Sequence, residues 1–103
     1  MLDVTPLVTA VDQLTDRLRA APQSRLQRGA AAEGLALARE LAAWTDRLES
    51  PGQEPREMPD AGMFAVADQL AVAGHDLAEA MRTAPAGQLA EAVALVEEVA
   101  GRV

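Results

Sequence analysis

The sequence predicts an all-α protein, an up-down-up-down four-helix bundle, on three observations. Half of the 103 residues are hydrophobic, yet Trp44 and Phe64 are the only aromatics. Alanine and leucine carry the rest, which suits helices and not sheets. Proline-bearing breaks cut the chain at Ala21-Pro22-Gln23-Ser24, at residues 50–59 and at Thr83-Ala84-Pro85-Ala86-Gly87. Proline lacks the amide donor and disfavours helix in the residue before it. Between the breaks, apolar residues recur at helical spacing, and no alternating β-branched run reads as a strand. The length fits one domain with a single core.

Helices are expected over about residues 6–21, 25–49, 60–82 and 86–101. In the first, Thr5 is the expected N-cap, Pro6 takes the first helical position, and Leu7, Val11, Leu14 and Leu18 form one stripe. The second opens on a capping-box pattern, Ser24 with Gln27, and continues through Leu26, Ala30, Gly34, Leu37, Leu41 and Trp44 to Leu48. An unbroken helix of this length would reach roughly 35–40 Å. The third follows Pro59 with Asp60 as its cap and buries Met63, Val66, Leu70, Ala73, Leu77 and Met81. The fourth presents Leu89, Val93, Val96, Ala100 and Val103.

Short connections between the first and second and between the third and fourth helices predict antiparallel neighbours. The longer middle connection leaves a rival, two helical hairpins that complete their core by dimerising. Glycine inside a helix costs up to about 1 kcal/mol relative to alanine. Gly29, Gly34 and Gly74 therefore point to close approach of neighbouring helices.

Composition excludes several functions. Without cysteine there are no disulfides, thiolate metal sites or cysteine nucleophiles, and the chain fits the cytoplasm. The N-terminus has no basic stretch followed by an apolar block, so no signal peptide is expected. No apolar run approaches the ~18 residues of a membrane span. The net charge of −7 repels nucleic acid. Arg17, Arg19, Arg25 and Arg28 cluster about the first break, where cations oppose helix macrodipoles more simply than they bind RNA. Ser24 and Ser50, the only serines, sit at helix ends as caps, and no Gly-rich phosphate cradle occurs.

The third helix holds the residues of most interest. At about 100° per residue, Asp68, His75 and Glu79 share a stripe opposite the core. A histidine flanked by carboxylates could act as a general base or weak metal ligand, but a zinc site needs three or four ligands and this is the only histidine. The simpler reading is a solvated face in which His75 pairs with Glu79 at i,i+4. Phe64 falls on the side shared with Asp68 and His75. It either seals the bundle end or anchors a partner. Trp44 lies in the second helix's seam, where its indole N–H is expected to meet an acceptor near the bundle end.

Residues 58–70, Met-Pro-Asp-Ala-Gly-Met-Phe-Ala-Val-Ala-Asp-Gln-Leu, followed by Ala73-Gly74-His75-Asp76-Leu77, resemble the CATRA-associated small proteins of actinobacteria. The preceding helix, residues 28–41, is similar too. The resemblance covers about residues 24 to 100, through helical motifs of low specificity. These short helical proteins are encoded beside larger proteins that bear caspase-and-TPR-repeat-associated domains, in conflict (anti-invader) systems with caspase-like proteases. The resemblance implies a non-enzymatic accessory protein that binds a CATRA-domain partner, and it supplies no catalytic residues. It makes Asp60, Asp68, Gln69, His75 and Asp76 candidates for the contact surface, beside Phe64. No cofactor or metal is expected, and a homodimer is the alternative assembly. Two other functions remain open: a small-ligand or metal binder using Asp68, His75 and Glu79, or an acidic antidote to a basic toxin.

Overall fold

A computed structural model describes residues 1–103 and contains only helices: α1 (Thr5–Ala20), α2 (Gln23–Arg25), α3 (Ala31–Glu49), α4 (Val66–Met81) and α5 (Ala86–Ala100). The four long helices form a four-helix bundle. Twenty-two buried residues drawn from all four make one continuous hydrophobic cluster, so the core closes within a single chain without a second copy. No helix is long and apolar enough to cross a membrane.

The first three stripes are buried largely as their spacing predicts. Leu7, Val11, Leu14 and Leu18 are all buried, as are Leu37, Leu41, Leu70, Leu77 and Met81. The fourth is turned: α5 buries Ala92, Val96 and Val99, while Leu89, Val93 and Ala100 are half-buried. Thr15 and Thr45 are buried too, their hydroxyls satisfied within their own helices by the carbonyls of Asp12 and Leu41 at 3.0 and 3.2 Å.

Helix starts differ from expectation. Thr5 is not a cap; it is the first residue of α1, and its amide donates to Asp3 Oδ1 at 3.0 Å. The Ser24–Gln27 capping box does not form, because helical structure begins at Gln23 after Pro22 and places both residues inside it. The second predicted helix is broken by a kink over Leu26–Ala30, centred on Gly29 with φ +149°. This shortens α3 to 19 residues, or about 28 Å at 1.5 Å per residue. The third begins at Val66 and not at residue 60. Gly62, at φ +94°, interrupts the backbone, and Asp60 caps no helix; its Oδ1 accepts the Gly62 amide at 2.8 Å in a local turn.

The up-down-up-down order is not what forms. Arg19 meets Asp68 at 3.0 Å and His75 meets Asp12 at 2.7 Å, so α1 and α4 are antiparallel. Gly34 faces Val66, while Leu48 and Glu49 share a surface groove with Glu79 and Ala80, so α3 and α4 run parallel. Trp44 meets Gln88 and Glu33 meets Arg102, so α5 opposes α3. The order is up-down-down-up. Its cause is the middle connection, residues 50–65, which runs back along α3 instead of closing a hairpin. Helices joined by short connections are antiparallel, but they are not the packed neighbours expected: α4 packs most extensively against α3 and α1, and α5 against α1 and α3.

Two of the three helix-interior glycines mark close approach. A methyl group on Gly34 would lie 2.7 Å from Val66 Cγ1, and one on Gly74 would lie 2.6 Å from Val11 Cγ1. Gly29 has nothing within 4 Å of such a methyl. Its requirement is the backbone angle.

Candidate functional site

The turn entering α4 and the outer face of that helix carry the candidates from the sequence, but the structure divides them. Phe64 lies just before α4, in the turn that enters it, and is 74% exposed. It therefore does not seal the bundle end. Val72, on the outer face of α4, is 63% exposed. Apart from Met1, these are the large exposed hydrophobics of the chain.

The polar stripe is engaged residue by residue with different neighbours. Asp68 faces α1, where Arg19 Nη2 donates to its Oδ1 at 3.0 Å. His75 also faces α1, its Nε2 2.7 Å from Asp12 Oδ1. The expected His75–Glu79 pair does not form: Glu79 accepts instead from Arg82 Nε at 2.9 Å. The pairing across α1 wins because α4 lies close against that helix, with Gly74 on Val11. All three pairs are solvent-exposed, where ion pairs contribute ~0–1 kcal/mol. No three His, Cys, Asp or Glu side chains are grouped to hold a metal ion. The Asp68–His75–Glu79 stripe is a row of separate contacts and does not converge on one point.

On the other side of α4, Gln69 Nε2 donates to the Pro59 carbonyl at 2.9 Å, while its Oε1 is buried without a partner. Asp76 is exposed beside a groove of about 340 Å³ between α3, α4 and residues 56–59. Asp60 stays in its local turn, away from both rows.

Sequence reasoning missed a carboxylate beside this region whose titration is shifted. Asp46 accepts the Arg56 backbone amide at 2.9 Å and its guanidinium Nη2 at 3.1 Å. These two bonds, the amide first, hold the Asp46 carboxyl below the usual carboxylate range. An acidic residue within an amphipathic helix and an arginine ten residues later in a proline-rich stretch carry no spacing signal that pairs them.

The expected acceptor for Trp44 is present: its indole N–H donates to Gln88 Oε1 at 2.9 Å, joining α3 to the start of α5. The arginines around the first break serve the bundle. Arg17 caps the Val103 carbonyl at 3.0 Å, Arg19 holds Asp68, and Arg28 Nε meets the Ser24 carbonyl at 3.3 Å.

Fold and surface together define a helical-bundle protein whose large exposed apolar side chains, Met1 apart, lie on one helix and the turn that enters it. No protein-family model matches the chain, and no similar curated protein or solved structure was found.

Proposed function

We propose that this chain is a non-enzymatic interaction protein that presents the head and outer face of α4 to a partner protein. The observation that carries the reading is Phe64, the only phenylalanine, held 74% exposed at the entry to α4. An aromatic left in water gains nothing for the fold, whereas buried aromatics dominate interface energies. Val72 extends the apolar surface along the helix, and Asp68, His75 and Asp76 supply its polar flanks. The resemblance of residues 58–70 and 73–77 to CATRA-associated small proteins supports a partner with a CATRA domain, in a conflict system that deploys caspase-like proteases.

The test is affinity capture from the native host with the wild-type chain and Phe64→Ala, followed by a binding titration with whatever protein the wild type retains. Truncating an anchor aromatic costs ~2 kcal/mol or more. Affinity should therefore fall at least about thirtyfold, at 1.4 kcal/mol per decade. A partner bound equally by both proteins would overturn the reading.

A further inference from the structure

Residues 50–65 cross the bundle without joining its core. Pro51, Pro55 and Pro59 remove amide donors, and Gly52 and Gly62 adopt φ of +85° and +94°, so the segment cannot continue either flanking helix. No residue within it is buried, and only Met58, Met63 and Ala65 are half-buried. None of the 22 core residues belongs to it.

What holds the segment down is the packing of Met58 and Met63 against the edge of the core cluster, together with a short series of polar contacts. Arg56 places its amide and guanidinium on Asp46, Arg39 Nε donates to the Met58 carbonyl at 2.9 Å, and Gln69 donates to the Pro59 carbonyl. Gln69 Oε1 accepts no hydrogen bond from the protein, so the side chain ties the segment through its Nε2 alone. Beside the segment runs the groove of about 340 Å³, open to solvent at Val72 and Asp76, with Met58 on one side and Ala42, Thr45 and Ala73 on the other. Lifting the segment breaks a few exposed polar contacts and the edge packing of two half-buried methionines, whereas unfolding the bundle exposes the whole cluster. Segments with few buried apolar contacts open at much lower free energy than the fold itself.

We propose that residues 50–65 form a strap that opens as one unit while the four-helix core stays folded, removing one wall of the groove and exposing the floor between α3 and α4. The contact of Arg56 with Asp46 is the clasp that sets how often it opens. It is the only one of these contacts made through two bonds, and the Arg56 side chain is 87% exposed, so it can leave without disturbing packed neighbours.

Because the chain has no cysteine, single introduced thiols report opening. Thr45→Cys places one in the floor of the groove that the strap walls, and Thr15→Cys places one in α1, outside that groove; both positions are buried. With a maleimide probe, Thr45→Cys is expected to react at least about tenfold faster than Thr15→Cys, as a local opening precedes global unfolding. Adding Arg56→Ala should raise the Thr45→Cys rate at least about threefold and leave Thr15→Cys unchanged. Equal rates at the two positions would overturn the proposal, as would an Arg56→Ala effect that is absent or shared by both. Should Thr45→Cys fail to fold, Ala73→Cys tests the same groove with the same two outcomes.

Discussion

Replacing Gly74 with alanine should destabilise the protein, although glycine-to-alanine in a mid-helix position ordinarily stabilises. The intrinsic gain is about 1 kcal/mol. Against it, the new methyl would meet Val11 Cγ1 at 2.6 Å, Cγ2 at 2.7 Å and Cβ at 3.1 Å. Valine in a helix has one strongly preferred χ1 rotamer. Because both of its methyls and its Cβ are in contact, rotation can turn only one methyl away and leaves the rest of the overlap. Val11 is fully buried, so α1 and α4 must move apart. Overpacking of this kind costs typically 1–3 kcal/mol, and contact at Cβ places it toward the upper end. The net loss is about 1–2 kcal/mol. At ~4–8 °C per kcal/mol for a domain of this size, the melting temperature should fall by roughly 5–15 °C. Thermal unfolding followed by circular dichroism reads this directly. A double-mutant cycle with Val11→Ala should show a favourable coupling of ~0.5 kcal/mol or more, as the smaller side chain makes room. Gly74→Ala melting at or above the wild-type temperature, or a coupling of zero, would refute the close approach of α1 and α4.

Three other outcomes follow from particular residues. Gly29→Ala should cost about 1–3 kcal/mol in urea unfolding despite open space around it, because φ +149° is a region nearly reserved for glycine. The Asp46 carboxyl, followed by NMR, should titrate below 3.8, and Arg56→Ala should raise its midpoint. The stabilisation it lends is complete above the ordinary aspartate pKa and is lost as pH falls through the lowered folded value. Calorimetry with zinc should show no micromolar site, since Asp68, His75 and Glu79 each face a different partner. A tight site abolished by His75→Ala would contradict that geometry.

Helix positions were legible in the sequence where a local cause fixed them. Pro22, Pro51 and Pro85 stand at the breaks, and Leu7, Val11, Leu14 and Leu18 show their shared face through spacing alone. The direction of α4 was not legible. An extended chain covers up to ~3.3 Å per residue, so residues 50–65 are long enough either to close a hairpin or to run back the length of α3. Tertiary contacts such as Arg39 with the Met58 carbonyl, not local propensity, set the outcome. The kink was hidden for a related reason: a helical glycine looks the same in sequence whether it admits a neighbour, as Gly34 does, or adopts a backbone angle, as Gly29 does. At the candidate site, the wheel placed Asp68 and His75 on an exposed face correctly. It could not show that their partners come from α1, because i,i+4 spacing sees only one helix at a time.

The central claim concerns Phe64, and one variant tests it. Phe64→Ala should leave the melting temperature nearly unchanged, because the side chain is 74% exposed and surface substitutions usually stay within about ±0.5 kcal/mol. The same variant should bind the captured partner at least about thirtyfold more weakly, the loss of an anchor worth ~2 kcal/mol at 1.4 kcal/mol per decade. Unchanged affinity in a protein of unchanged stability would contradict the assignment of the head of α4 as the partner surface.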